Sequence, residues 1–289
     1  MEVKIVFSDI DGTFLTSDHK VTEKTEKAVK KLLEKKIPFI LVSGRMPEAI
    51  YPITEKIGIK IPIICYNGGL ILTEKEEILY SEKMKAEDTQ KVLNEISKNY
   101  SEVTVNYYTG RKWYVKDIKN QRVIREMEIT KAKAENANFE ELIKNDILPN
   151  KLLIMSDTEM IEKMENELGK KFPELNIIHS AKHLLEIMDK SVNKGKAVEI
   201  MLKHYNFLPE NSIAFGDNYN DIDMIKVVGC GVIMGNAPDY IKTIGNGITD
   251  SNNDSGIYSY LITIITSLSF SIRSFNSLIS ISNIKSPLN

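Results

Sequence analysis

Three apolar runs near the start of the chain, at 3–9, 38–42 and 61–66, each end in small or polar residues. Near-continuous apolar residues predict strands that are covered on both faces of a parallel sheet, because a half-exposed strand would alternate. Between the runs, residues 21–36 carry apolar side chains at helical spacing, and Pro47 predicts the first turn of a second helix. This alternation of strands and helices is typical of a doubly wound α/β sheet.

A different pattern fills the middle of the chain. Residues 70–83 have a charged centre between two apolar ends and predict a β-hairpin. From 84 to 189, helical patterns mix with short alternating strands, two of which flank Thr109-Gly110. This mixture predicts an α+β cap domain at 84–189, inserted into the α/β core.

The α/β pattern then returns, with a predicted helix at 194–205 and a predicted strand at 212–215. The predicted fold class is therefore α/β, a doubly wound, mostly parallel Rossmann-like sheet core with an inserted α+β cap domain. The core is predicted to comprise 1–83 and 190–262. The tail at 263–289 is rich in Ser and Ile, and a packed terminal helix with a frayed end is favoured there over a membrane span.

Composition and charge argue against several classes of partner. The 289 residues carry 38 basic and 40 acidic side chains, a formal net charge of −2. Because no basic stripe stands out, neither nucleic acid nor a membrane is expected as a partner. Cys65 and Cys230 each lie in an apolar run and are predicted to be buried free thiols. The first residues lack the layout of a signal peptide, so a cytoplasmic protein is expected. The expected oligomeric state is a monomer or homodimer.

Four polar clusters lie where predicted strands end or helices begin. They are Asp9 with Asp11, the run Ser43-Gly44-Arg45, Lys194, and Asp217 with Asn220 and Asp221. Doubly wound topology brings the carboxyl ends of neighbouring strands to one edge of the sheet, so we expect the clusters to meet there. Several carboxylates in one place need a cation, and oxygen donors suit Mg2+.

The paired carboxylates predict two catalytic roles. Asp9, at the strand end, can attack a phosphorus atom to form an aspartyl-phosphate. Asp11 can donate a proton to the leaving group and later accept one from water. The predicted metal ligands are Asp9, Asp11 and Asp217.

The remaining polar residues form three predicted groups. A phosphate group needs backbone amides, hydroxyls and an ammonium group, which are available from Gly12, Thr13, Ser43, Gly44 and Lys194. Two residues are expected to ligate the metal directly or through water, or to orient Lys194, namely Asn220 and Asp221. Possible substrate contacts are Arg45, Asn67 and Gly68, although Asn67-Gly68 is also typical of a plain turn.

In this order, the four clusters resemble the motifs of the haloacid dehalogenase superfamily of phosphohydrolases. The insertion between Asn67-Gly68 and Lys194-Gly195 is similar to the cap of the Cof-like branch, which follows the third strand. The resemblance covers about 3–262, so the tail lies outside it. The glycine that follows Lys194 favours this lysine over the nearby Lys190 as the one that matches the family motif.

The residues and the resemblance together predict a Mg2+-dependent phosphatase. It would hydrolyse a small phosphorylated metabolite, such as a sugar phosphate or a phosphorylated cofactor, through an aspartyl-phosphate on Asp9. Two alternatives stay open, a sugar phosphomutase with a similar cap and a non-enzymatic phospho-acceptor signalling domain. Asp11 argues against the signalling domain, because an acid–base residue would promote loss of the phosphoryl group.

Overall fold

The computed structural model describes residues 2–264, and the strands of this part of the chain form two sheets. The strands are β1 (Ile5–Asp9), β2 (Phe39–Val42), β3 (Ile63–Cys65), β4 (Leu70–Leu72), β5 (Ile78–Ser81), β6 (Thr104–Thr109), β7 (Lys112–Val115), β8 (Glu135–Asn136), β9 (Lys151–Met155), β10 (Leu175–Ala181), β11 (Leu184–Asp189), β12 (Ser212–Gly216), β13 (Cys230–Ile233) and β14 (Gly247–Ile248).

The α-helices lie between these strands. They are α1 (Glu23–Glu34), α2 (Pro47–Lys56), α3 (Ala86–Asn99), α4 (Gln121–Thr130), α5 (Phe139–Lys144), α6 (Thr158–Lys171), α7 (Lys194–Tyr205), α8 (Ile222–Val227) and α9 (Asp239–Lys242). A further helical stretch spans 256–264.

The first sheet has the strand order β14-β13-β12-β1-β2-β3-β4-β5. Its central strand, β1, pairs in parallel with β12 and β2, in a register that places Ser8 beside Phe215 and Asp9 beside Val42. At one edge, β4 and β5 are antiparallel. The sheet is therefore mostly parallel, and the prediction of a Rossmann-like α/β core is confirmed.

Side chains of β1 are buried on both faces of this sheet. Val6 packs in a cluster with Ala28 and Leu32 of α1. Ile5 and Phe7 pack on the opposite face, in the cluster that contains the buried side chains of α7 and α8. Burial on both faces requires apolar residues at successive positions, which is why the run at 3–9 does not alternate.

The second sheet has the order β10-β11-β9-β6-β7-β8, and its strands all lie between 104 and 189. One face packs on α3, α5 and α6 through a cluster that includes Leu152 and Ile154. Alternate residues of β9, such as Leu153, belong instead to the cluster shared with the first sheet. The second sheet therefore presents one face to its own helices and the other to the core. The domain boundaries predicted at 84 and 189 stay a prediction.

Local signals explain where three helices begin. The Thr22 side chain accepts a hydrogen bond from the Thr25 N–H and caps α1. Pro47 is the first residue of α2, where a missing N–H leaves no hydrogen bond unmade. Asn193 caps α7 by accepting a hydrogen bond from the Lys196 N–H. The last of these caps fixes the start of the helix that carries Lys194.

The described structure departs from the sequence predictions at two points. The sequence predicts a mixture of helices and strands for 84–189, whereas the structure gives the separate helices α3, α4, α5 and α6 there. Both cysteines are free, but Cys230 is half-buried, with its Sγ 3.1 Å from the Tyr260 hydroxyl. The expectation of burial is therefore confirmed for Cys65 and wrong for Cys230.

Within residues 2–264, every helix is too short or too polar to cross a membrane. The tail predicted at 263–289 lies outside the described residues from 265 onward. The prediction of a monomer or homodimer stays a prediction.

Candidate active site

Two aspartates are brought together by neighbouring parallel strands of the core. Asp9 is the last residue of β1, and Asp217 directly follows β12. Because β1 and β12 pair in parallel, their carboxyl ends meet at one edge of the sheet. This juxtaposition is the one expected from the pattern of strands.

A fully buried lysine connects Asp9 to a second carboxylate. Lys194, the first residue of α7, places its Nζ 2.6 Å from Asp9 Oδ1 and 2.6 Å from Asp221 Oδ1. The other oxygen of Asp221 accepts hydrogen bonds from the N–H groups of Asp217 and Asn218, both at 3.0 Å. Asp221 therefore holds Lys194 and the loop that carries Asp217 in fixed positions.

Lys194 does not offset the full cost of burying these carboxylates. Burial raises the pKa of Asp9 well above its ordinary value, although attraction to Lys194 lowers it in part. Burial also raises the pKa of Asp217 to about 6. Burial alone would lower the pKa of Lys194, but Asp221 and Asp9 raise it above its ordinary value. The site thus keeps an excess of poorly solvated negative charge, which a bound cation would stabilise.

Oxygen atoms of Asp9, Asp217 and Asp221 lie within 4.8 Å of one another and could hold a metal ion. Three carboxylates form a hard donor set, which suits a cation such as Mg2+. This group contains two of the three predicted ligands, Asp9 and Asp217, together with Asp221. In the structure both Asp11 oxygens face Arg45, and the role of Asp11 as a metal ligand stays a prediction.

Arg45 forms a forked ion pair with Asp11. Its Nη2 lies 2.6 Å from Asp11 Oδ1, and its Nε lies 2.8 Å from Asp11 Oδ2. Arg45 is predicted as a possible substrate contact, but here its guanidinium group is engaged by the predicted acid–base residue. The Arg45 N–H also donates to the buried Ser43 Oγ at 3.2 Å, which shapes the loop after β2.

The residues that follow Asp11 pack tightly against Asp217. Gly12 has a φ of +85°, and a Cβ atom there would lie 2.4 Å from Asp217 Oδ2. Thr13 donates its hydroxyl hydrogen to Asp217 Oδ1 at 2.7 Å. Both residues are predicted to bind phosphate; in this structure the Thr13 hydroxyl orients a carboxylate of the candidate metal site.

Two charged residues of the cap contact the loop that begins at Ser43. Lys151, on β9, places its Nζ 2.5 Å from the Gly44 carbonyl oxygen and 2.9 Å from Glu186 Oε1 on β11. Glu186 Oε2 accepts a hydrogen bond of 2.7 Å from the Asn67 side-chain amide. Asn67 in turn accepts one of 3.2 Å from Asn220. These five residues form what we call the cap–loop network.

Sequence reasoning identified Gly44, Asn67 and Asn220 but missed Lys151 and Glu186. The side chains of Lys151 and Glu186 are only 5% and 7% exposed. A sequence signal existed, because each charge stands in an apolar strand, where an unpaired charge would be very costly. The contacts of Lys151 and Glu186 with the core could not be predicted from the sequence, since they depend on how the cap sheet docks on the core.

The adjacent residues Asn67 and Gly68 have different surroundings in the structure. Asn67 is buried at the cap–loop network, whereas Gly68 packs against the start of α7. A Cβ atom on Gly68 would lie 2.4 Å from the Asn193 carbonyl oxygen, and its φ is +109°. Gly68 therefore serves the packing of the helix that carries Lys194, and its contact with the substrate stays a prediction.

A cavity of about 420 Å³ lies between the core and the cap. Its core side includes Asp9, Asp11, Ser43, Gly44, Asn67 and Asn220, and its cap side includes Tyr108, Glu126, Ile129, Lys151, Leu153, Leu184 and Glu186. This volume lies in the range of small-molecule binding sites. The predicted nucleophile thus opens onto a space that is closed over by the cap.

Comparison with known proteins agrees with this geometry. The family model described as haloacid dehalogenase-like hydrolase matches residues 6–261. The chain belongs to this family. Its predicted place in the Cof-like branch is confirmed as well, and the family relation makes it a phosphoric monoester hydrolase.

Relatives match nearly the whole chain. A protein of Haemophilus influenzae is 37% identical over 257 residues, which cover 89% of this chain and 96% of the relative. Phosphatase YwpJ of Bacillus subtilis is 26% identical and covers 88% of this chain and 97% of its own length. The crystal structure of TM0651 from Thermotoga maritima superposes with a TM-score of 0.80 at 26% identity, covering 90% and 97% of the two chains.

Membership of this hydrolase family decides between the alternatives left open by the sequence. A phosphoric monoester hydrolase is an enzyme, so the alternative of a non-enzymatic phospho-acceptor domain is wrong. Hydrolysis also makes water the final acceptor of the phosphoryl group, rather than the sugar of a phosphomutase.

The cap–loop network gives a prediction about stability. Replacing Lys151 by Met should lower the free energy of unfolding by about 3 kcal/mol, because Glu186 would stay buried without its counter-ion. The double variant Lys151→Met/Glu186→Met should recover most of that loss but keep a raised KM, since Gly44 and Asn67 have lost their partners. Urea denaturation and steady-state kinetics measure the two effects.

The exposed pair of Lys112 and Glu135 on the same cap serves as the control. The Lys112→Met variant should unfold at the wild-type midpoint, because solvent already screens that pair. A Lys151→Met variant as stable as wild type, or a double variant with wild-type KM, would contradict the prediction.

Proposed function

We propose that the protein is a Mg2+-dependent phosphatase that hydrolyses a small phosphomonoester through an aspartyl-phosphate on Asp9. The observation that carries the proposal is the position of Asp9, which opens onto the cavity and is hydrogen-bonded to the buried Lys194. A carboxylate held in this way has a fixed direction of attack. The size of the cavity suits a metabolite with a compact organic part.

The candidate metal site fits Mg2+ by its donor chemistry. Asp9, Asp217 and Asp221 would hold the ion, and water would supply further oxygen ligands. When bound, the ion would neutralise repulsion between the carboxylates and the phosphate oxygens. The raised pKa values of Asp9 and Asp217 fit a site that is incomplete without a cation.

Residues of the core carry out the chemical steps. An Asp9 oxygen attacks phosphorus while Asp11 protonates the leaving oxygen, and the P–O bond to the organic part breaks. Asp11 then removes a proton from water, which attacks the phosphorus of the aspartyl-phosphate. The acyl phosphate bond breaks, inorganic phosphate leaves, and the Asp9 carboxylate is regenerated.

The ion pair between Asp11 and Arg45 bears on these steps. Proton transfer requires one Asp11 oxygen to be free, so at least one of the two Arg45 hydrogen bonds must open when substrate binds. Arg45 lines the same cavity, and its released donors would then be available to the phosphate group. Ser43 and the amides of the loop after β2 would bind the remaining phosphate oxygens.

Removal of the metal is the direct test of the proposal. After EDTA treatment and desalting, the release of inorganic phosphate from a panel of phosphomonoesters should fall by at least about a hundredfold. Added Mg2+ should restore it, whereas Ca2+, which is larger and takes more ligands, should not. Full turnover by the metal-free protein would refute the metal dependence. A product that is an isomeric sugar phosphate, with no free phosphate, would refute hydrolysis.

A further inference from the structure

Glu126 lies on the cap side of the active-site cavity. It belongs to α4, and Ile129 and Thr130 of the same helix also line the cavity. The opposite wall carries Asp9 and Ser43. A phosphomonoester with its phosphorus next to Asp9 must therefore extend its organic part toward the wall that holds Glu126.

Glu126 differs from the other buried or paired charged residues of the cavity in that it has no ion-pair partner. Ion pairs join Asp11 to Arg45, Lys151 to Glu186, and Asp9 to Lys194. His19 also lines the cavity, but it is exposed. Within residues 2–264, the Glu126 carboxylate has neither a hydrogen bond nor an ion-pair partner within 4.0 Å. It is thus the one half-buried acidic side chain of the lining without a counter-ion.

Solvation by water does not fully stabilise the charged form of the Glu126 carboxylate. Burial raises the pKa of Glu126 above its ordinary value, while Lys151, Arg45 and Arg125 lower it in part. In the structure Lys151 and Arg45 pair with Glu186 and Asp11, and Arg125 of the same helix is exposed, so none of the three forms an ion pair with Glu126. A donor that arrives with the substrate would meet an acceptor with little solvation to lose.

The surroundings of Glu126 limit the rest of the ligand. Apolar side chains make up much of the cavity lining, including Met46, Ala49, Ile129, Leu153 and Leu184. Such a lining offers few hydrogen bonds to a polyhydroxylated chain but suits a hydrocarbon or aromatic framework. The cavity thus combines the proposed phosphate site, several apolar side chains and one half-buried carboxylate without an ion-pair partner.

We propose that Glu126 selects phosphomonoesters whose organic part is largely apolar and carries a positively charged amino group. This inference rests on the proposed function, since it concerns the substrate of the same site. Glu126 would act as a specificity residue, pairing with the ammonium group at the end of the substrate remote from phosphorus. It takes no part in the chemical steps.

Matched substrates test this inference. The probes are 4-(aminomethyl)phenyl phosphate, 4-methylphenyl phosphate and 4-carboxyphenyl phosphate, with 3-aminopropyl phosphate against propyl phosphate as a flexible pair. The wild-type protein should favour the amine over its neutral partner by at least about tenfold in kcat/KM, mainly through KM. The Glu126→Gln variant should bring that ratio close to one, and Glu126→Lys should favour the carboxylate.

The exposed Glu128 of the same helix gives the matched control. The Glu128→Gln variant should keep both the amine preference and the activity of the wild type. A wild-type protein without amine preference in either pair, or a preference that survives in Glu126→Gln, would overturn the inference. If no phosphomonoester, charged or neutral, releases phosphate, then it is the proposed function that fails.

Discussion

Replacing Asp9 by Asn is expected to lower kcat for every phosphomonoester by roughly 10⁴-fold or more, because the amide cannot form the aspartyl-phosphate. The loss should occur without unfolding. Burial raises the pKa of Asp9, so its charged form costs stability at neutral pH, and a neutral amide of the same shape removes that cost. Phosphate release and the thermal midpoint, measured on the same sample, separate the two effects.

The exposed Asp18 provides the control for this substitution. The Asp18→Asn variant should match the wild type in both activity and thermal midpoint. An Asp9→Asn variant that is folded and retains more than about one-hundredth of wild-type turnover would rule out Asp9 as the nucleophile. A variant with a much lower midpoint would instead show that the ion pair with Lys194 matters more for stability than the burial of charge.

Replacing Lys194 by Met is expected to affect both stability and activity. The substitution leaves Asp9 and Asp221 buried and close together without their shared cation, so the free energy of unfolding should fall by about 3–5 kcal/mol in EDTA at neutral pH. Turnover should be lost as well, because the carboxylate of Asp9 is no longer oriented. Urea denaturation and phosphate release measure these losses.

The stability loss of Lys194→Met should depend on pH in a defined direction. The pKa of Asp9 is already raised in the folded protein, and removal of Lys194 raises it further. The charged-carboxylate penalty is therefore fully present above that folded pKa, and it disappears as the pH falls below the ordinary pKa of Asp. The gap between variant and wild type should be smaller at pH 5 than at pH 8.

A second variant keeps this prediction testable if Lys194→Met does not fold. In Lys194→Met/Asp221→Asn one of the two carboxylates is neutral, so at least half of the stability loss should be recovered while turnover remains lost. Equal stability of the single and double variants would contradict the account of Lys194 as the shared counter-ion. A gap that widens toward low pH would contradict it too.

The meeting of Asp9 with Asp217 could be predicted because it follows from chain topology. Apolar runs without alternation mark strands buried on both faces, and parallel strands bring their carboxyl ends to one edge. The order β12-β1-β2 then places the residues after each strand side by side. Lys194 could be predicted from the family resemblance, because the glycine that follows it matches the family motif.

Contacts made across the cavity could not be predicted in the same way. The approach of Lys151 to Gly44 joins residues 107 positions apart and depends on how one sheet docks on another. Likewise, the pairing of Arg45 with Asp11 depends on side-chain conformations that no residue pattern specifies. The close packing of Gly68 against Asn193 could not be predicted either, because a glycine required by close packing and one required by a ligand look the same in a sequence.

The cap–loop network also has a consequence for protein engineering by domain exchange. Lys151 and Glu186 come from the inserted segment, but their partners Gly44 and Asn67 belong to the surrounding core. A cap transplanted from another protein would therefore need a matching pair of charges at the same two strand positions. Without them the recipient core would lose the contacts that hold Gly44 and Asn67, so the two parts of this enzyme are not freely interchangeable modules.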